Sequence, residues 1–287
     1  MIVVRLQGGL GNQMFQFAAG LGVALRSGAE LAIDVRRLDP TRAGSRGIAL
    51  DAYDLGTTRT IDRRLRSRPL VALQRIRRQP VVTDDAGFDA TLLDQHQRLT
   101  LDGFWQDLRY FADIAPEVRA HFSTLRHALH AQAADVLDQI RSTHSVGLHV
   151  RRADFTNATG IGSINGVLPV DYYGVACERM AARVPTPSFF VFSDDLPWCR
   201  QELQLPAGTV FALDGQTSAT DLTLLANCRH HIIANSSFSW WSAWLGAHPE
   251  QEVIAPGAWT IADDVDLDSL LPSAWWRAPH VPRRGQR

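Results

Sequence analysis

The chain has 287 residues, 45% of them hydrophobic and 21% charged, with a formal net charge of -1. That composition belongs to a folded globular protein with enough chain for one large core or two modest ones, and it excludes disorder, a collagen-like repeat and a disulfide scaffold. A near-neutral chain has no global field to hold it on nucleic acid or on a membrane, so no nucleic-acid partner is expected. In chain order, the apolar run Ile2 to Leu6 ends at Gly8-Gly9-Leu10-Gly11, after which Met14, Phe17, Ala18, Leu21 and Leu25 recur at helical spacing. This predicts a strand, a tight turn and an amphipathic helix. Leu31-Ala32-Ile33 before Asp34 predicts a second strand, hence a βαβ opening and a parallel sheet. From Arg59 to Arg78 eight arginines alternate with Leu65, Leu70, Val71, Leu73 and Ile76, broken by Pro69. A kinked basic helix is expected there, either a solvated face or a contact with anionic membrane.

Leu99 to Tyr110 reads as a strand running into an aromatic loop, and Leu125, Leu129, Ala133, Val136, Leu137 and Ile140 mark a helix expected to close the first half. The second half opens with a strand over Ser145 to Val150. Strand-like runs follow at Phe189 to Phe192, Val210 to Leu213 and His231 to Ala234, with helical patterns near Tyr172 to Arg183, Ala219 to Asn227 and Ser239 to Ala247. The alternation predicts an α/β protein of two Rossmann-like halves, 1–144 and 145–287, with ligands where the carboxyl ends of the two sheets face one another. Cys177, Cys199 and Cys228 form no CxxC pair and are odd in number, which argues against a disulfide framework and a structural zinc and points to a reducing cytoplasm. The N-terminus lacks a signal-peptide core, and no apolar run approaches the roughly 18 residues that span a bilayer.

Four motifs carry chemistry. The glycine turn matches neither GxGxxG, because Met14 stands where glycine is required, nor the phosphate loop GxxxxGK[ST]. Asn12 and Gln13 nevertheless place two amides at a helix N-terminus, where backbone N–H groups favour an anion. In His149-Val150-Arg151-Arg152-Ala153-Asp154 a buried strand emerges into dense charge. The strand period sends His149 and Arg151 to one face and Arg152 to the other, so one arginine reaches a ligand while its neighbour is held by structure. Arginine suits phosphate because its planar fork binds two oxygens at once. An Arg-Asp pair closing a loop is the plainer alternative.

Phe192-Ser193-Asp194-Asp195 puts paired acids past another strand, either as a helix N-cap or as a group that binds metal, exchanges protons or accepts from a base. Asn235-Ser236-Ser237-Phe238-Ser239 offers hydroxyls at a strand-to-helix turn, where they donate to phosphate. Trp240 and Trp244, four apart, share a helix face and are assigned to packing. Asp264-Val265-Asp266 and Asp266-Leu267-Asp268 resemble a metal-binding DxD but read better as a solvated acidic loop, and His127 and His130 share a helix face without a third ligand. No metal site is expected.

Taken together, the four motifs and Gly103-Phe104-Trp105-Gln106 resemble the alpha-1,2-fucosyltransferase family in order and spacing over nearly the whole chain. The resemblance implies a GT-B-like fold and metal-free, inverting transfer of L-fucose from GDP-fucose to the 2-hydroxyl of a terminal galactose in a surface glycan. It implies His149 on the nucleoside, Arg151 on the pyrophosphate, Arg152 and Asp154 supporting that loop, and Asp194 or Asp195 on the guanine edge. Ser236, Ser237 and Phe238 would line the pocket, with Gly11 and Asn12 completing the donor side. Thr159 stands where some relatives carry a glutamate, so the base is open among Asp154, Asp102 and Asp107, with Asp154 the choice and Asn12 holding a water as a weaker option. Two readings compete: a relative that binds GDP-sugar without transferring it, and a peripheral membrane-docking protein using Arg59 to Arg78.

Overall fold

The computed structural model describes residues 1–38, 47–62, 79–85, 87–94, 98–152, 156, 164–262 and 265–279. The chain divides into two compact units, Met1–His127 and Ala128–Arg287. In the first unit, strands β1 (Ile2–Arg5), β2 (Leu31–Asp34), β3 (Arg59–Ile61), β4 (Val81–Val82) and β5 (Leu99–Leu101) form one parallel sheet in the order β3-β2-β1-β5-β4. The chain winds outward from β1 to β3, crosses over, and returns to place β5 beside β1. The order therefore reverses between β1 and β5, and in open parallel sheets that is where ligands enter, beyond the strands' carboxyl ends.

Helix α1 (Leu10–Ser27) springs from the glycine turn after β1, and the short helix α2 (Ala115–Phe122) follows the loop after β5. A Cβ at Gly20 would lie 2.1 Å from Val4 Cγ2, and one at Gly22 would lie 2.1 Å from the Tyr110 carbonyl oxygen, so two glycines let the helix lie close on the sheet and on the loop after β5. Gln13 and Gln16, both buried, are structural pins. Gln13 donates to the carbonyls of Gly8 and Gly47 and accepts the N–H of Ala49, while Gln16 accepts the Gln7 N–H and donates to the Gly103 carbonyl. Arg59 to Ile61, expected to open a basic helix, is instead the edge strand of this sheet; residues 63–78 lie outside the described residues.

The second unit carries β6 (His144–Val150), β7 (Pro187–Ser193), β8 (Val210–Phe211), β9 (His230–Ile232), β10 (Val253–Ala255) and β11 (Trp276–Arg277). They lie parallel in the order β11-β10-β9-β6-β7-β8, the doubly wound arrangement with its reversal between β6 and β9. Central β6 is buried on both faces, as a strand covered by helices on each side must be. Alternate residues sort cleanly. Val146, Leu148, Val150, Phe189 and Val191 pack with α4 (Val170–Arg183) and α5 (Leu196–Glu202), while Phe190 and Phe192 pack with α3 (Ala131–Arg141) and α6 (Ser218–Ala226).

Helix α3, expected to close the first half, thus packs with the second sheet. Its start is later than the apolar period suggested, because His130 caps it by accepting the Ala133 N–H, and Leu125 makes an isolated antiparallel bridge to Tyr53 instead. Helix α7 (Ser237–Leu245) follows β9 and is mostly core: Trp240 and Trp244 stack at 5.9 Å, and Trp240 Nε1 donates to the Leu270 carbonyl. The three cysteines are buried thiols. No helix among the described residues is long and apolar enough to cross a membrane.

Candidate functional site

The second sheet builds a polar site where β6, β7 and β9 run out. In the β6–β7 register His149 lies beside Phe192 and Val150 beside Ser193, so the next pair is Arg151 and Asp194. Their side chains meet, with Arg151 Nη1 2.8 Å from Asp194 Oδ2, and Asp194 Oδ1 accepts the Arg152 backbone N–H at 2.8 Å. One carboxylate therefore fixes the guanidinium of one arginine and the backbone of the next.

Arg152 turns to the opposite face, as the strand period requires. Its Nε lies 3.2 Å from Asp195 Oδ2, an ion pair without hydrogen-bond alignment, and its guanidinium sits 4.3 Å over the Trp198 ring. Asp195 in turn caps α5 by accepting the Trp198 N–H at 3.2 Å. Both readings of the Ser-Asp-Asp segment thus meet in one structure: Asp195 is a helix cap, and Asp194 orients an arginine.

His149 faces the α6 and α7 side, its ring 5.1 Å from that of Phe238. It is buried, and its Nδ1 has no hydrogen-bond partner. Burial, reinforced by the Arg151 charge, pushes its pKa down to about 3, so the ring is a neutral imidazole near pH 7. Asn235 is also buried. Its Nδ2 donates to the carbonyls of Asn165, Gly166 and Trp259, drawing three segments together, while its Oδ1 is left without a partner. Ser236 caps α7 by accepting the Phe238 N–H, and Ser237 begins the helix, so the N-terminus of α7 lies at the carboxyl edge of β9. Tyr173 on α4 lies beneath this edge, fully buried. Burial and then the neighbouring Cys199 and Asp194 push its ionisation well up, which keeps it a neutral phenol.

Buried polar atoms without hydrogen-bond partners are uncommon in folded proteins, and His149 Nδ1 and Asn235 Oδ1 lie at one strand edge. Chemically, a guanidinium locked by a carboxylate next to a helix N-terminus binds a diphosphate and stabilises negative charge that grows on it. His149, Arg151, Arg152, Asp194, Asp195, Ser236, Ser237 and Phe238 all belong to this edge. Trp198, Asn235 and Tyr173 join them. Only Asn235 lies within a motif, and it draws attention there by being a short amide at a strand end.

Gly11 and Asn12 belong to the first unit, at the carboxyl end of β1, where Asn12 Oδ1 accepts from Gln106 Nε2 at 2.9 Å. Asp154 and Thr159 lie outside the described residues. Of the other base candidates, Asp102 is held by Arg5 and Arg37, each at 2.6 Å; burial raises its pKa, but hydrogen bonds and charge from the two arginines outweigh burial and bring it below the ordinary range. Asp107 caps a short turn and is doubly bonded to Arg109. Both carboxylates are thus already held by arginines. Asp266 caps the turn Leu267–Leu270, Asp268 pairs with Arg277 at 2.7 Å, and His130 is a helix cap rather than a member of a helix face. Asp264 lies outside the described residues. Among the described residues, no three His, Cys, Asp or Glu side chains gather to hold a metal ion.

Residues 82–264 match the family model described as Glycosyl transferase family 11. The chain is 31% identical over 289 residues to an alpha-1,2-colitosyltransferase of Escherichia coli, covering 96% of this chain and 98% of that one. It is 33% identical over 186 residues to galactoside alpha-(1,2)-fucosyltransferase 1 of Saimiri sciureus, covering 61% of this chain and only half (50%) of the primate protein. Among solved structures, the NodZ alpha-1,6-fucosyltransferase co-crystallized with GDP is similar at TM-score 0.50 and 18% identity, covering 84% of this chain and 91% of that one. That likeness places the two parallel sheets in the GT-B type of fold.

Proposed function

Because this chain belongs to glycosyl transferase family 11, we propose that it transfers L-fucose from GDP-fucose to the 2-hydroxyl of a terminal galactose, with inversion at the anomeric carbon. The observation that carries the donor half of this reading is the Arg151–Asp194 pair, set at the reversal of the second sheet beside the N-terminus of α7. Arg151 and the α7 amides take the diphosphate. As the bond from the sugar's anomeric carbon to the phosphate oxygen breaks, its electron pair stays on that oxygen, and these groups meet the growing charge without a divalent metal. His149, neutral and with Nδ1 unpartnered, packs on the nucleoside with Phe238. Asp194 and Asp195 each retain acceptor lone pairs for the guanine N1–H and N2–H, since a carboxylate accepts about four hydrogen bonds. Ser236 and Ser237 complete the phosphate side. Opposite the leaving group, the galactose 2-oxygen bonds the anomeric carbon and gives its proton to a base, which we assign to Asp154, with a water held by Asn12 as the weaker choice. The galactoside is read by the carboxyl-end loops of the first unit, and the acceptor belongs to a surface glycan.

A second donor is favoured by the full-length similarity to a colitosyltransferase. Colitose is L-fucose without its 3-hydroxyl, so the two donors differ by one hydrogen-bonding group. Supplying GDP-fucose and GDP-colitose separately with a β-galactoside, and assigning the product linkage by NMR, tests the reading. An alpha-1,2-linked product is expected from GDP-fucose. Transfer from GDP-colitose alone would reassign the donor, and GDP binding without transfer from either would reduce the protein to a GDP-sugar-binding relative.

A further inference from the structure

The loop after β5 holds an aromatic ring out at the carboxyl edge of the first sheet, and the polar residues around that loop are committed to holding it there. Phe104 is 43% exposed; among the described residues it is the only phenylalanine, tyrosine or tryptophan exposed to that degree. Its neighbour Trp105 is buried to 1% and has φ +56°, the left-handed region that a bulky side chain rarely enters. The reversal sends two adjacent aromatics in opposite directions. Trp105 goes into the core, edge-on to Tyr110 at 5.4 Å, and Phe104 goes outward.

The strained turn is secured at several points. A single oxygen of Asp84, Oδ2, accepts the backbone N–H groups of both Phe104 (2.7 Å) and Trp105 (2.8 Å). Gln16 donates to the Gly103 carbonyl at 3.0 Å, Asp107 donates its N–H to the Trp105 carbonyl at 2.9 Å, and Gln106 donates to Asn12. A Cβ at Gly103 would lie 2.1 Å from Asp84 Oδ1, so a side chain there would displace the carboxylate that holds the turn. Left-handed non-glycine residues persist where the surroundings over-determine them, and such positions cluster at ligand clamps. Here the outcome is a fixed backbone under Phe104, beside the point where the order of the first sheet reverses and two residues beyond Asp102 of the Arg5–Asp102–Arg37 cluster.

We propose that Phe104 is the stacking platform for the terminal galactose of the acceptor. This rests on the transfer proposed above. A galacto-configured pyranose turns the C–H bonds of C3, C4 and C5 to one face, forming an apolar patch that matches one aromatic ring, while its hydroxyls project sideways to polar groups. The flat ring meets the first requirement, and the fixed backbone beneath it leaves only the ring's own rotation to be ordered on binding.

The test uses the full chain with GDP-fucose and lactose as the acceptor probe, measuring lactose KM and kcat from initial rates and GDP affinity by calorimetry. Phe104→Ala and Phe104→Leu are expected to raise lactose KM by about tenfold, the lower range for deleting an aromatic stacking partner, with GDP affinity unchanged. Phe104→Tyr and Phe104→Trp, which keep a ring, should restore most of the loss. Phe104 is exposed, so these variants should fold, and unchanged far-ultraviolet circular dichroism checks it. Wild-type lactose KM in both Phe104→Ala and Phe104→Leu would overturn the platform while leaving the transferase reading intact. A wild-type protein that binds GDP but transfers nothing to lactose would instead overturn the acceptor reading, and the platform with it.

Discussion

Asp194 shows how much of the site depends on one carboxylate: it takes the Arg151 guanidinium on one oxygen and the Arg152 backbone on the other. An arginine held in this way meets phosphate oxygens without first losing rotamer freedom. Arg151→Ala should remove that contact and lower kcat/KM by an amount worth about 2–5 kcal/mol, the usual penalty for truncating one partner of a buried charged pair. Arg151→Lys should recover only part of it, because a point charge lacks the fork. Asp194→Asn keeps an acceptor for the Arg152 N–H while weakening the hold on Arg151, so it should fall between wild type and Arg151→Ala. Steady-state rates at varied donor concentration check all three, and near-normal turnover by Arg151→Ala would remove Arg151 from the donor site. At this scale much was legible in advance. Charge at the end of an apolar strand reads as a polar sheet edge, and the two-residue period separates His149 from Arg152. What was not legible is contact between distant segments. Nothing local says that Trp198 lies under Arg152, or that Asn235 draws in the carbonyls of Asn165 and Trp259.

Among the elements, α1 and the loop after β5 are the tightest fit. Gly22 admits the Tyr110 carbonyl where any side chain would collide with it, and that carbonyl belongs to the turn following the strained Trp105. Gly22→Ala gains about 1 kcal/mol of helix propensity. It should nevertheless destabilise the first unit, because the backbone atom 2.1 Å away cannot rotate aside and overpacking costs about 1–3 kcal/mol or more. A lower midpoint in denaturant checks this, whereas a stabilised variant would mean that α1 and the loop are not in such close contact. The long elements were readable because their apolar periods are long. Helix α1 and strand β6 fall within a few residues of expectation. The edge strands β3, β4 and β11 were missed, as was the three-residue β10 beside β11. Two or three residues carry no period, and such strands exist only because a neighbour supplies their hydrogen bonds. Helix α3 was legible as a helix but not as a member of the second unit, since its apolar face does not say which sheet covers it.

For the whole molecule, two parallel sheets each reverse their order once, and the motifs cluster at those reversals. The second unit also carries an acid weakness. Burial holds His149 and His231 down to about 3, and His230 is lowered too. The unfolded chain takes up a proton at each near pH 6.5 while the folded chain does not, so the stability these groups contribute is full above that value and is lost as pH falls towards 3. The slope is about 1.4 kcal/mol per pH unit each for His149 and His231. Asp221, pushed up to about 6 by burial, works in the opposite sense below that pH, but as one group against two. The melting temperature should therefore fall steadily from pH 7 to pH 5, and a flat profile would contradict the burial of these imidazoles.

We propose that the carboxyl edge of the second sheet binds GDP without a metal. Calorimetric titration of the purified chain with GDP, UDP and ADP, with EDTA present throughout and Arg151→Ala in parallel, tests this directly. Selective binding of GDP that Arg151→Ala weakens severely is expected. Equal affinity for UDP, binding that appears only after magnesium is restored, or an Arg151→Ala protein that binds GDP as tightly as wild type would contradict it.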